Sequence, residues 1–154
     1  MSPVNPIPEG YPRLSPYLCI DGAARAIDFY TDVLGATLKM RMDGPDGTIG
    51  HAELTLGDSI IMLADEYPDI GFLSPSRVGG TPVTLHTYVE DVDAVFEKAV
   101  ASGAKVLRPV ENQFYGDRSG QFEDPFGHRW SVASHVEDVS EEEVARRAEQ
   151  AAGG

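Results

Sequence analysis

The sequence predicts an α+β protein built from two βαβββ modules, and an internal repeat is the main reason. Residues 15–31 and residues 84–100 lie 69 positions apart and share an apolar strand, an acidic turn residue and a helix-forming stretch. In both copies a Gly-Ala pair, at 35–36 and at 103–104, then ends the helix. Because the period is long and there are only two copies, we interpret the repeat as two similar half-domains.

The first module, residues 14–64, is predicted to hold one helix and four strands. Its helix spans residues 22–34 with Asp21 as the N-cap, because apolar residues recur there at helical spacing and Gly35 follows. Tight turns at 44–47 and 57–58 separate the later strands. The strands are predicted at residues 14–20, 36–42, 51–56 and 59–63.

The second module, residues 82–134, repeats this order after a linker at residues 65–81 that contains three Gly and two Pro. Its helix is predicted at residues 92–102, capped by Asp91. A polar and aromatic loop is predicted at residues 112–120. The strands are predicted at residues 82–89, 105–109, 121–123 and 128–134.

Together the modules form one predicted domain, residues 14–135, with a segment at each end. Residues 1–13 contain four Pro and are predicted to form an extended arm. Residues 136–154 are predicted to form a helical tail, because Ser140 and Glu143 make a capping box before a helix at 141–152.

Composition limits the classes of function. The chain has 154 residues, of which 42% are hydrophobic and 24% charged, as expected of a soluble globular domain. The net charge of −13 argues against nucleic acid and membranes as partners, because both attract basic surfaces. No apolar run is long enough to span a membrane, and the N-terminus lacks a secretory signal. One cysteine, Cys19, permits no internal disulfide, so a cytoplasmic location is predicted.

Five phrases carry a family resemblance: IPEGYPRLSPYL, AIDFYTDVLGA, GHAELTLGDSIIMLADE, FYGDRSG and DPFGHRWSVASHVEDVS. They resemble the vicinal oxygen chelate superfamily of glyoxalase I, bleomycin-resistance proteins and extradiol dioxygenases, and within it the PhnB-like branch. The resemblance covers about residues 6–145. It implies a cupped eight-stranded mixed sheet (the glyoxalase/bleomycin-resistance fold), helices on its convex side, a small-molecule cavity and a homodimer.

The same resemblance implies where a glyoxalase would hold its metal ion. The corresponding positions here are Ser15, Met62 (Ile61 if the alignment shifts by one), Thr84 and Ser131. Hydroxyl and thioether groups are poor ligands for Zn²⁺ or Ni²⁺. We therefore expect the glyoxalase metal site to be absent and no cofactor to be needed.

Strand alternation predicts which polar residues face the cavity, and the loop at 112–120 is predicted to add two more. The predicted ligand-binding residues are Tyr17, His51, Glu53, His86, Tyr88, Tyr115, Arg118 and Arg129. Glu53 and His86 are the candidates for catalysis, since a buried Glu can be tuned towards neutrality. A structural alternative for Arg118 is an ion pair with Asp117.

The sequence supports two functions. The first is a small-molecule-binding protein, as bleomycin-resistance proteins are, without the glyoxalase metal site. The alternative is a metal-dependent lyase, isomerase or dioxygenase with a divalent metal at a displaced site made by His51, Glu53 and His86. The sequence leaves open whether the protein is an enzyme and which ligand it takes.

Overall fold

The computed structural model describes residues 3–153, which divide into two compact units with a boundary between Gly80 and Thr81. The α+β class and the two-module βαβββ fold predicted from the repeat are confirmed. The eight strands of the described residues form two four-stranded mixed sheets, one in each unit. The predicted arm and tail extend to residues 1, 2 and 154, which lie outside the described residues.

The first unit is built on a sheet with the strand order β1-β4-β3-β2, in which β1 and β4 are parallel and the other pairs antiparallel. The helix α1 packs on one face and buries Ile27 and Tyr30 there, near the fully buried Leu54 and Leu63. The elements are β1 (Tyr17–Ile20), α1 (Ala23–Leu34), β2 (Thr37–Asp43), β3 (Ile49–Leu56), β4 (Ser59–Asp65) and the short α2 (Pro75–Val78).

The second unit repeats this order as β5-β8-β7-β6, again with one parallel pair, β5 and β8. A Cβ atom at Gly120 would lie 2.8 Å from Cε2 of Phe96, so glycine lets α3 pack closely on the sheet. The elements are β5 (Thr84–Tyr88), α3 (Val92–Ala101), β6 (Lys105–Asn112), β7 (Asp117–Glu123), β8 (Arg129–His135) and α4 (Glu141–Gly153).

The N-termini of the two module helices are capped differently. Asp91 caps α3 as predicted, accepting a hydrogen bond from the Ala94 N–H at 3.1 Å. The prediction of Asp21 as the cap of α1 is wrong. The carboxylate of Asp65, at the end of β4, accepts the N–H groups of Gly22 and Ala23 instead, both at 3.0 Å. A cap that comes from 42 residues away leaves no local sequence signal.

The predicted loop at 112–120 is shorter in the structure and comprises residues 113–116, between β6 and β7. Residues from Asp117 onward belong to β7, and Asp117 pairs in register with His135 on β8. One face of β7 is polar, so its composition looks like that of a loop. At the other end of the chain, β1 begins at Tyr17, three residues later than predicted.

None of the helices within residues 3–153 combines the length and the apolar character needed to cross a bilayer. Cys19 is buried and makes no disulfide. Burial, followed by the charges of Glu66 and Asp65, raises the pKa of its thiol to about 11, so Cys19 stays a protonated, unreactive side chain at neutral pH.

Candidate functional site

Four polar side chains of the first unit form one hydrogen-bonded chain. Glu53 and Tyr17 both lie opposite Met62 in the register of the sheet, so they share a face, and His51 lies two residues from Glu53 on the same strand. The Tyr11 hydroxyl donates to Glu53 Oε1 at 2.7 Å. Glu53 Oε2 lies 2.8 Å from His51 Nε2, and His51 Nδ1 lies 2.7 Å from the Tyr17 hydroxyl.

These contacts assign the protons along the chain. Glu53 accepts from Tyr11, so its second oxygen requires the Nε2–H of His51 as a donor. In the tautomer that carries its proton on Nε2, Nδ1 is an acceptor and the Tyr17 hydroxyl donates to it. Burial, together with the charge of Glu53, raises the pKa of Tyr17, which keeps the phenol protonated for this role.

Glu53 is held as a carboxylate. Only 5% of the residue is exposed, yet the hydrogen bond from His51 lowers its pKa, against the opposing effect of burial and with help from Tyr11. This direction is opposite to the shift towards neutrality that burial alone would give a Glu side chain. Because both carboxylate oxygens are engaged, the structure does not support a general base here.

A cavity of about 700 Å³ lies within the first unit. Tyr17 of β1 forms one wall, the turn between β2 and β3 forms another, and the segment after β4 forms a third. Three aromatic residues face it, Tyr17, Tyr67 and Phe72, with the Tyr17 and Phe72 rings edge-to-face at a centroid distance of 5.8 Å. Of the eight predicted ligand-binding residues, Tyr17 belongs to this lining.

The segment after β4 is fixed in place, although the sequence indicated only a linker. The main chains of Tyr67 and Phe72 exchange two hydrogen bonds, at 2.9 and 3.1 Å. Glu66 holds Arg77 through two contacts, at 2.8 and 3.2 Å, and accepts the N–H of Ser74 at 3.0 Å. Arg77, followed by Ser74, lowers the pKa of Glu66 to about 2, so this clamp persists at any physiological pH.

In the second unit, His86 and Tyr88 are exposed neighbours on β5 with ring centroids 5.0 Å apart. His86 Nδ1 lies 2.9 Å from the Ser131 hydroxyl. The Tyr88 hydroxyl donates to the buried Asp117 at 2.8 Å, and Asp117 also contacts His135 at 2.9 Å. The contact between Asp117 and Tyr88 was missed because Asp117 was predicted to lie in a loop, whereas it begins β7.

Arg118 points to the other face of this sheet. Its guanidinium makes two 2.9 Å hydrogen bonds to Asp93 on α3, so the alternative pairing with Asp117 is wrong. Tyr115 is 43% exposed and packs against Phe114, with ring centroids 5.2 Å apart. Arg129 is exposed at the start of β8.

The residues at the superfamily's metal-ligand positions do not suit a divalent ion. Met62 offers only a thioether, Ser15 and Thr84 only hydroxyls, and the Ser131 hydroxyl is already paired with His86. Within residues 3–153, no group of three or more His, Cys, Asp or Glu side chains is arranged to hold a metal. Of the displaced set, His51 and Glu53 belong to the first unit and His86 to the second.

Residues 13–132 match the sequence profile of the Glyoxalase/Bleomycin resistance protein/Dioxygenase superfamily, and the chain belongs to that superfamily. It is 44% identical over 136 residues to an uncharacterized protein of Mycobacterium bovis, covering 86% of this chain and 90% of that one.

Two solved structures share the fold. Protein PA1353 from Pseudomonas aeruginosa has a TM-score of 0.67 at 25% identity, over 82% of this chain and 99% of that one. A PhnB protein from Bacillus cereus has a TM-score of 0.64 at 22% identity, over 80% of this chain and 99% of that one. The family match confirms the superfamily resemblance of the sequence, and both structures share the fold of this chain.

Proposed function

We propose that this protein binds a small organic molecule in the cavity of the first unit, without a metal ion at the superfamily's ligand positions. The observation that carries the proposal is the cavity itself. Its volume of about 700 Å³ lies within the range typical of sites for drug-sized molecules, and three aromatic side chains line it. Such a lining favours a flat or apolar ligand body.

The cavity is also preorganised, which reduces the entropy lost on binding. Glu66 and Arg77 clamp the segment that carries Tyr67 and Phe72. The chain from Tyr11 through Glu53 and His51 fixes the hydroxyl of Tyr17. Binding is favoured over catalysis because the side chains of this network are committed to one another.

We further propose that the protein acts as a homodimer in the cytoplasm. The outer strands, β1 and β2 in the first sheet and β5 and β6 in the second, each leave one side unpaired within the described residues, and such edges are commonly covered by a partner. Light scattering should then give twice the chain mass of 16.6 kDa at micromolar concentration. A mass of one chain under these conditions would contradict the dimer and leave the cavity proposal intact.

A neutral probe, 2-naphthylmethanol, tests ligand binding directly. We expect it to bind the wild-type protein and to bind Phe72→Ala at least about tenfold more weakly, because an aromatic wall is lost. Phe114→Ala is the matched control, since it removes a partly exposed phenyl ring of the second unit. Circular dichroism confirms that both variants are folded. Equal losses in the two variants would refute the proposed function.

A further inference from the structure

Six main-chain N–H groups around the cavity already make hydrogen bonds inside the protein. Pro45 has no N–H, and several neighbouring N–H groups make hydrogen bonds inside the protein at 2.7–3.2 Å. These engaged donors are the N–H groups of Gly44, Thr48, Ile49, Tyr67, Ile70 and Phe72. A ligand in the cavity therefore finds few main-chain donors to accept from.

The polar side chains of the lining also offer a ligand few hydrogen-bond donors. Five polar side chains line the cavity, and all of them except Tyr67 can only accept a hydrogen bond from a ligand. The other four are those of Tyr17, Thr48, Asp65 and Glu66. The Tyr17 proton is committed to His51, and the Thr48 hydroxyl donates to the Pro45 carbonyl at 2.6 Å. Asp65 and Glu66 are carboxylates, which accept hydrogen bonds and do not donate them. The described part of the lining contains no Lys, Arg or His.

The net charge of the chain and the aromatic rings of the lining also favour a cationic ligand. The faces of aromatic rings attract cations, and Tyr17, Tyr67 and Phe72 all line the cavity. The net charge of −13 favours the approach of a cation and opposes that of an anion. No basic residue of the described lining would pair with an anionic ligand. The two carboxylates of the lining, Asp65 with its three main-chain N–H donors and Glu66 with its partner Arg77, would not attract it.

We infer that the ligand is an organic cation with an apolar or aromatic body and at least one N–H donor, such as a protonated amine. This inference rests on the proposed function and specifies the ligand class of that same cavity. The cation supplies the donors that the lining lacks, and the aromatic walls receive its body. Anions such as carboxylates and phosphates are excluded because no group of the described lining pairs with them.

Three probes of one shape test the inference: 2-naphthylmethylammonium, 2-naphthylmethanol and 2-naphthoate, titrated at pH 7 and followed by ligand-observed NMR. The ammonium should bind about tenfold more tightly than the alcohol, and the carboxylate more weakly than the alcohol. If the alcohol binds and the ammonium binds no better, the inference is wrong and the proposed function stands. If none of the three binds, the proposed function itself fails, and the inference fails with it.

A positive charge added to the lining gives a second readout. Ile70 lines the cavity and is 75% exposed, so Ile70→Lys adds a cation there without disturbing the core. We expect this variant to lose the preference for the ammonium and to bind the carboxylate at least as well as the alcohol. Val78→Lys adds the same charge at an exposed site outside the lining and should keep the wild-type order. An unchanged order in Ile70→Lys, or the same reversal in Val78→Lys, would overturn the inference.

Discussion

The two units place different side chains at the same point of the repeat, and Asp65 and Ser134 show this most clearly. They lie 69 positions apart, near the ends of β4 and β8, and each contacts the N-terminus of its own unit's helix. Asp65 accepts two N–H groups of that terminus and also the N–H of Ile49 at 2.7 Å. Ser134 accepts only the Val92 N–H, at 3.1 Å, because Asp91 caps α3 locally.

The segments that come after these two residues differ more. In the first unit the chain folds back, and Tyr67 and Phe72 become walls of the cavity. In the second unit Val136 and Glu137 donate to the Gly116 carbonyl, at 2.9 and 3.0 Å, and the chain continues into α4. The repeated strands and helix therefore supply a common frame. In the first unit, the segment after the fourth strand supplies walls of the cavity.

The largest expected effect is in the core of the second unit. Trp130 is 2% exposed, and its indole N–H donates to Asp124 at 2.9 Å. Trp130→Ala should reduce the free energy of unfolding by about 3–5 kcal/mol, through lost burial and the cavity left behind. Urea unfolding measures this loss. Trp130→Phe, which keeps a ring, should lose less, and an equal loss would show that packing is not the cause.

The capping difference predicts the next largest effect. Asp65→Ala removes the acceptor of three main-chain N–H groups and should cost about 2–3 kcal/mol of unfolding free energy. Ser134→Ala should cost about 1 kcal/mol, the usual value for one cap. Chemical denaturation of both variants compares them directly. A larger loss in Ser134→Ala would contradict the assignment of Asp65 as the stronger cap.

Acid stability should depend on Glu53 in the first unit. Its folded-state pKa is lowered below the ordinary 4.5, chiefly by the hydrogen bond from His51. Its contribution is therefore present above pH 4.5 and is lost as the pH falls through the folded-state value. Glu53→Gln should lower stability near pH 7 and flatten the loss below pH 4.5, as measured by urea unfolding across this range.

The control for this prediction is Glu111→Gln, which changes an exposed carboxylate of the second unit. It should leave the acid limb of the stability curve as in wild type. An acid limb that is unchanged in Glu53→Gln would show that Glu53 does not carry this pH dependence.

The smallest expected effect separates two histidine positions by ligand binding. His51→Ala releases the Tyr17 hydroxyl and should weaken binding of 2-naphthylmethylammonium by about threefold to tenfold. His86→Ala removes a side chain bonded to Ser131, outside the lining, and should change binding by less than about twofold. Equal effects would contradict a site confined to the first unit.

The fold could be predicted because its signals are local or repeated. Helical spacing, Gly35 and the capping residue Asp91 lie within or beside the elements that they define. The 69-residue repeat then indicated that both units share one topology, as the strand orders show. The failures are non-local: Asp65 caps a helix that begins 42 residues earlier, and β7 is a strand because it pairs with β6 and β8.

The site could be predicted only in part, for the same reason. Strand alternation has a strict period of two, so it placed His51 and Glu53 on one face, where the structure brings them together with Tyr17. Tyr11 was missed because it lies in a Pro-rich arm without periodicity. The cavity wall at residues 67–72 was missed because Gly and Pro indicated a connection and said nothing of where it folds.

The central claim is that the ligand site lies within the first unit, and chemical-shift mapping tests it most directly. Titration of uniformly ¹⁵N-labelled protein with 2-naphthylmethylammonium should shift the amide signals of residues 44–50 and 64–72, which include most of the cavity lining. The signals of residues 84–88 and 112–117 should stay unchanged. Saturable shifts confined to the second group, with the first group unaffected, would contradict the account.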